Sequence, residues 1–568
     1  MLRPLKLTLL LMISVWLVGC ATYGQDVRKG LELTQQGQYN EAAGAFEKAL
    51  DPKGDDRLLY YTELGMVYHL AGDYEKSNRL LESAERISED LYTKRISDML
   101  TTAMSNPRQG PYRASNFERV FINYYKALNY LMLALQSTDN KMRERALEGA
   151  RIESRRIDMV LSDIETQKGN YQEQADREKS MFSKLMRIFN KLTGEIIDRD
   201  KIVYRNDAFG HYLAAVIYEQ YNEYDSARVA YQKSASLYEN GYQAQYGLKK
   251  DMTEQAWFDT IRMMQKAGGW RNEWPQLSQT KLSKDKRQLL KDFNDMGHLI
   301  VLEHTGMVPE RDEMNMLLTA DPNTRQVVIN PILTGDPSRQ LDQRFWFYAL
   351  YADKGITDLV SAVYEERVIP ALLQYSMVKR EYLGPLWDVA DGLGLVQVLQ
   401  QGMRITVPYY RVTSYKGSGP STLSVAGTEQ PMLTGQSVAH LAVQQQLLDA
   451  SVDIQEAMAR EAFKNLTAAQ AASVGGDAGA VLGFLGKIAA NASSSAETRN
   501  WLLLPDQIKV TRIALTPGTH TVTLNSEPVK GHKQTITKQV DIKPGEMAVW
   551  KVRTFPTKAN QTSQQVGL

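Results

Sequence analysis

A pattern that recurs every 35 residues near the start of the chain limits its fold more than any other feature. Gly30, Gly37, Tyr39, Ala42, Phe46 and Ala49 are followed 35 positions later by Gly65, Gly72, Tyr74, Ser77, Leu81 and Ala84. A repeat of this length marks a supersecondary unit that cannot bury its apolar side alone and stacks on its neighbours. Small residues at Gly65 and Ala42 suit close approach of two helices, and large ones at Tyr68, Phe46 and Leu81 suit filling between hairpins. Gly37-Gln38-Tyr39 and Gly72-Asp73-Tyr74 read as the turns. A third copy spans Ala208 to Asn240, with Ala215, Tyr218, Asn222, Tyr224, Ala227 and Tyr231 at the same offsets and Asn222 in place of the turn glycine. Between the copies, Phe117 to Leu135 and Lys141 to Ile164 carry apolar residues at helical spacing, after breaks at Asn106-Pro107 and Gly110-Pro111. The polar stretch from Glu165 to Lys179 reads as a long helix or an exposed connector.

These offsets resemble the tetratricopeptide (TPR) repeat. The resemblance implies an all-α solenoid of roughly five or six hairpins, whose first helices line a face that binds peptides or proteins. In this register the face shows Thr62, Met66 and His69 in the second copy and Tyr212, Val216 and Glu219 in the third, which makes these six the candidate partner-binding groove. The alternative for the same six is that they pack against the next element or contact water.

Near Trp270 the pattern changes. A short helix is expected from Ser283 to Asp295, then strands at Gly297 to Glu303, Gln326 to Ile329 and Met403 to Val412, with Ile405, Val407 and Tyr409 alternating. Arg344 to Gln400 reads as largely helical. A helix from about Ser437 to Leu466 precedes a stretch in which Gly475, Gly479 and Gly483 lie four apart. That spacing suits either an oligomerising or membrane-contacting helix, or close packing of a buried helical hairpin. From Trp501 onward four strands are expected: Ile508 to Leu515, Thr519 to Leu524, Gln534 to Ile542 and Met547 to Val552. Pro517-Gly518-Thr519-His520-Thr521-Val522 reads as a turn motif and resembles small PEGA-type β domains. The expected fold class is therefore multidomain: an N-terminal all-α TPR-like solenoid, an α+β middle and a small C-terminal antiparallel β domain. The expected boundaries are 1–19 for a signal peptide, 20–270 for the solenoid, 271–435 for the α+β part, 436–498 for the Ala/Gly-rich helical segment and 499–568 for the β domain with its tail.

The amino terminus carries an address. Arg3 and Lys6 precede an apolar run from Leu7 to Val18, which is of signal-peptide length and too short to span a bilayer. Leu17-Val18-Gly19-Cys20 then resembles the lipobox of bacterial lipoproteins, and Cys20 is the only cysteine in the chain. The resemblance implies diacylation of the Cys20 thiol with palmitate-type chains, cleavage before it, and acylation of the new amino terminus. Two or three chains anchor stably where one gives marginal binding. Ala21, where an aspartate would favour retention, implies sorting to the outer membrane of a Gram-negative envelope, facing the periplasm.

With Cys20 committed, disulfides, thiolate metal sites and thiol catalysis are excluded. Lys and Arg number 67 against 66 Asp and Glu, which argues against a nucleic-acid partner. His298 and His304 lack the spacing of a helical metal motif. Ser278-Gln279-Thr280-Lys281 and Ser283-Lys284-Asp285-Lys286 match Ser-x-x-Lys, but the companion Lys-Thr-Gly is missing. No Gly-x-Ser-x-Gly elbow occurs, and Gly486-Lys487 lacks phosphate-loop spacing. The reading is of a non-enzyme with no cofactor and no metal.

Several stretches together resemble a largely uncharacterised proteobacterial family of TPR-containing outer-membrane lipoproteins: Glu118-Arg119-Val120, Tyr124 to Leu131, Gly297 to Glu303 with Pro309, Arg499-Asn500-Trp501, and Leu504 to Ile508 with Pro517 to His520. Arg344 to Gln400 falls outside the resemblance. The family implies a periplasmic, non-enzymatic role and supplies no catalytic residues. The first expected function is a lipid-anchored scaffold that binds envelope proteins through the solenoid, for envelope or peptidoglycan assembly or for export. The second is a lipoprotein that binds or processes cell-wall glycan through the C-terminal β domain. The third is an oligomeric secretion or pore accessory.

Overall fold

The computed structural model describes residues 23–97, 107–167, 181–193, 207–291, 293, 296–351, 378–412, 417–465, 495–528 and 532–555. The signal segment with Cys20 and the glycine series Gly475, Gly479 and Gly483 lie outside them.

The repeated turns join antiparallel helices. Helices α1 (Arg28–Gln35) and α2 (Tyr39–Ala49) meet at Gly37, whose φ is 75°. α3 (Arg57–Leu70) and α4 (Tyr74–Ser97) meet at Gly72, with φ 81°. After α5 (Asn116–Gln136), α6 (Asn140–Gln167) and α7 (Met181–Thr193) come α8 (Ala208–Gln220) and α9 (Tyr224–Leu237), joined at Asn222 with φ 63°. Left-handed backbone explains the residue choice, since glycine adopts it freely and asparagine tolerates it. The small positions are explained by packing: a Cβ on Gly30 would meet the Phe46 ring at 2.7 Å, and one on Gly65 would meet Leu81 at 2.8 Å. α5 starts with a capping box in which Ser115 and Glu118 each satisfy the other's backbone. α10 (Asp251–Ala267) packs against α9 and ends at Gly268, with φ 77°.

Twelve described strands follow: β1 (Gly297–Thr305), β2 (Arg311–Asp321), β3 (Gln326–Ile332), β4 (Lys379–Tyr382), β5 (Met403–Tyr410), β6 (Ser418–Val425), β7 (Thr428–Pro431), β8 (Leu433–Ser437), β9 (Gln507–Leu515), β10 (Gly518–Pro528), β11 (Gln534–Ile542) and β12 (Met547–Thr554). They form three sheets, ordered β12-β1-β9-β8, β11-β10-β6-β7 and β4-β3-β2-β5. The last two are antiparallel. In the first, β1 runs parallel to β12, with Leu299 opposite Ala548, and antiparallel to β9, with Leu299 opposite Ile513.

The four C-terminal strands lie where the sequence places them, but they do not form a unit of their own. β9 and β12 flank β1 from the middle of the chain, and β10 pairs with β6. The boundary at 499 therefore cuts through two sheets, and a 499–568 fragment lacks the strands its own members pair with. Pairing across more than two hundred residues leaves no local trace in the sequence. β2 and β6 to β8 were not expected, because their mixed polar composition carries little alternation. Within the span expected to be helical, α11 (Pro337–Tyr351) and two short helices do appear, with β4 among them. α12 (Val438–Asn465) matches its expected extent and packs on β5.

The first two sheets form a sandwich, and the helices cover its outer side. Along β1, Leu299 and Val301 point to the second sheet, where Leu423, Val425, Val522, Leu524 and Ile542 close an apolar core with Trp550 and Val552. Ile300 and Leu302 point the opposite way, into the core shared with the helices. The strand is buried along its whole length, so it reads as a continuous apolar run rather than as an alternating one.

Candidate functional site

The six residues expected to line a groove are all buried, at 4% exposure or less. Their helices are as expected, α3 and α8. What lies against them is the rest of the same chain: β12 at His69, β9 at Glu219 and helix α10 at Tyr212. An open groove at these positions is thus replaced by an internal interface, and packing against another element is the arrangement observed. Periodicity identifies which side of a helix is lined, but not what covers it.

Thr62 and Met66 are buried, Met66 in the core cluster that also holds Trp501 to Leu504, and the Thr62 hydroxyl donates to Leu59 O at 3.3 Å. One helical turn from Met66 on the same helix, Glu63 reaches that segment's main chain: Leu502 N donates to Glu63 Oε1 at 2.7 Å and Leu503 N to Oε2 at 3.2 Å. Tyr23 O–H adds a third donor at 3.2 Å. From α5, Glu118 accepts from Trp501 N at 2.8 Å. Two acidic side chains on different hairpins therefore hold three consecutive backbone N–H groups of one extended stretch. Arg499 ties its start to the helices through Asp56 at 2.9 Å and the carbonyls of Pro107 and Gly110 at 2.9 Å. Burial pushes the Glu63 carboxyl up to about 8, against the downward pull of Leu502, Leu503 and Tyr23. An acid raised in this way favours its protonated form in the fold. Its contribution is complete below the ordinary carboxylate pKa and is lost as pH rises through about 8.

His69 faces β12. Its Nδ1 lies 2.5 Å from Asn129 Oδ1, and Asn129 Nδ2 donates to Ser77 Oγ and Asn78 Oδ1. That orientation makes Nδ1 the protonated ring nitrogen and leaves Nε2 to accept from Lys551 Nζ at 3.2 Å.

The third-copy residues form a separate cluster. Tyr212 O–H donates to Asp259 at 2.7 Å, and Val216 packs beside it in the core. Glu219 accepts from Arg262 of α10 at 2.6 Å, Arg512 of β9 at 3.0 Å and Tyr231 O–H at 2.9 Å. Asp259 lies 3.0 Å from Arg512 Nε and 3.3 Å from Arg262 Nε. His298 Nε2 takes a hydrogen bond from Arg512 at 2.7 Å, and burial pushes the imidazole down to about 4, so it is neutral at pH 7. Burial alone would raise the Glu219 carboxyl, but Arg262 and Arg512 hold it well below the ordinary range. Two carboxylates thus balance two guanidiniums, and the cluster joins α8, α9 and α10 to the sheet.

β1 persists through Thr305, so His298 and His304 do share a face, but each is committed separately. His304 Nε2 pairs with Tyr124 O–H at 3.0 Å. Among the described residues no group of acidic, histidine or cysteine side chains is arranged to hold a metal ion, and no helix is long and apolar enough to cross a membrane. Sequence reasoning did not single out Glu63, Glu118, Arg499 or Arg512 as joints. A charged residue inside an apolar helical stripe, as Glu63 is, was the available signal. Compared with protein-family models, curated proteins and solved structures, the chain matches none.

Proposed function

We propose that the protein is a lipid-anchored scaffold of the Gram-negative envelope, held at the outer membrane by Cys20 and recruiting envelope proteins from the periplasmic side, in the manner of TPR-containing lipoproteins. In this reading the helical repeats clamp the protein's own sheets, and partners meet surfaces outside that clamp. The observation that carries it is the docking of Tyr23. Its ring is buried and its hydroxyl bonds Glu63, so an acylated Cys20 three residues earlier stays within about 11 Å of the folded body. Such a tether holds a scaffold against the bilayer with no slack. A Cys20→Ala variant is expected to fold as the parent does and to leave the membrane fraction for the soluble periplasmic one. Retention of the variant in the membrane, or failure of the parent to incorporate a labelled fatty acid, would overturn the reading. Photocrosslinking from exposed helix positions such as Met159 in intact cells would then identify the partners.

A second reading, binding of cell-wall glycan, is favoured by the outer face of the β11-β10-β6-β7 sheet. Thr519, Thr521 and Thr523 with Asn525 line up beside Asp541, Gln539, Thr537 and Thr535, a polar field free of aromatic and cationic side chains. Because these strands depend on β6, the test uses the full chain: co-sedimentation with purified sacculi, lost on Thr521→Val with Gln539→Val, supports it. Equal sedimentation of parent and variant rejects it.

A further inference from the structure

Where the helices meet β12, hydrogen-bond donors gather without acceptors. Arg553 is 7% exposed, and its Nη2 donates to Gly306 O at 2.6 Å and Leu503 O at 3.2 Å. Its Nε and Nη1 have no hydrogen-bond partner, and neither does the buried Tyr125 hydroxyl. Tyr125 and Arg553 are each other's leading electrostatic partner. Two residues along the strand, and so on the same face, Lys551 is partly exposed. Its ammonium sits 5.0 Å from the centre of the Tyr74 ring and donates to His69 Nε2 and, at 3.4 Å, to His69 O. An ammonium has three N–H donors, so one remains.

The charges around these donors do not balance. The groups acting on Lys551 are Arg553 and, from β11, Lys538, both cationic. Around Arg553 stand Tyr125, Tyr39 and one carboxylate, Asp506, whose Oδ2 already accepts from Ser418 N at 2.7 Å. His69 and His304 complete the surroundings, each held neutral chiefly by burial and further by these cations. Elsewhere in the helix-sheet interface each buried guanidinium of the Glu219 cluster has its carboxylate. Arg553 lies over the Phe555 ring at 4.6 Å, but no described carboxylate is hydrogen-bonded to it; burying a cation without an ion-pair partner is costly, and it persists where another contribution offsets the cost.

We propose that Arg553, Tyr125 and Lys551, flanked by His69 and His304, bind a small oxyanion of the inorganic phosphate type at the junction of α3, α4 and α5 with β12. The Arg553 and Tyr125 donors supply hydrogen bonds from the buried side and Lys551 supplies charge from the rim, where Tyr39 borders the site. This assignment is independent of lipid anchoring and of any protein partner.

Burial, reinforced by Arg553 and Lys538, pushes the Lys551 amine down to about 7. A bound anion opposes that push, so a Lys551 amine that is neutral in the free protein takes up a proton on binding. Arg553 keeps its charge at neutral pH, and His69, His304, Tyr39, Tyr74 and Tyr125 stay neutral.

The test is titration of the full chain with sodium phosphate against sodium chloride at matched ionic strength, followed by thermal unfolding and by 31P line broadening. Phosphate is expected to raise the unfolding temperature saturably and beyond chloride. Tyr125→Phe, which keeps the ring packing, and Lys551→Gln are each expected to weaken phosphate binding roughly tenfold, the cost of one charge-assisted hydrogen bond. Phosphate no better than chloride on the parent protein would overturn the proposal whatever the variants do, and so would unchanged affinity in a folded Lys551→Gln variant.

Discussion

Glu219→Gln is expected to destabilise the fold by about 3–5 kcal/mol, the usual cost of leaving a buried charge without its partner. The amide keeps the shape of the side chain but leaves Arg262 and Arg512, both with fully buried side chains, to share the single carboxylate of Asp259. Chemical denaturation followed by tryptophan fluorescence reads this as a lower midpoint. Acid acts in the same direction: a carboxyl held below its ordinary range contributes stability that is present at neutral pH and is lost as pH falls through the folded-state value. The parent's acid-side loss should therefore be smaller in the variant. A double replacement, Glu219→Leu with Arg512→Met, should recover part of the loss, because apolar side chains of similar volume substitute for buried ion pairs at little cost. A Glu219→Gln protein within about 1 kcal/mol of the parent would show that the cluster does not hold the helices to the sheet, since that is the range of exposed pairs.

Trp501→Ala is expected to cost about 3–5 kcal/mol through the cavity it opens. The indole is among the largest fully buried side chains and lies 6.1 Å from the Tyr125 ring, between α5 and the sheet. The substitution leaves the backbone bonds to Glu118 and Glu63 in place, so it separates side-chain filling from the carboxylate grip on the main chain. Trp501→Phe should cost less than half as much. It keeps an aromatic body and removes an indole N–H that has no partner. Limited proteolysis supplies a second readout: cleavage between Arg499 and Asp506 should accelerate in the alanine variant. An alanine variant as stable and as resistant as the parent would mean that this segment is not what seats the helices.

Both predictions concern positions whose residue types were visible in sequence and whose roles were not. Glu219 was legible as a residue on the inner side of a first helix, because α8 keeps its register from Ala208 to Gln220. The same reasoning placed Thr62, Met66 and His69 correctly on one side of α3. It failed at the next step, since what α3 meets is distant in sequence: Leu502 and Leu503 at Glu63 and Lys551 at His69, each more than four hundred residues away. The stretches that suggested kinship with a lipoprotein family include Glu118-Arg119-Val120 and Arg499-Asn500-Trp501, which meet where Glu118 accepts from Trp501 N, without indicating that they touch.

The sequence by itself determined the local events: helical hairpins turned at Gly37, Gly72 and Asn222, the burial of the β1 run, and four C-terminal strands with their turns. Each follows from forces acting over a few residues, such as left-handed φ, close helix approach and side-chain alternation. Tertiary structure alone decided that β1 would run between β9 and β12, that the sandwich would draw strands from three separate parts of the chain, and that the helices would bind their own protein. Those outcomes depend on which buried carboxylate meets which guanidinium or backbone N–H. Such pairings are fixed by geometry in three dimensions, because an unpaired buried charge costs several kcal/mol wherever its partner lies along the chain.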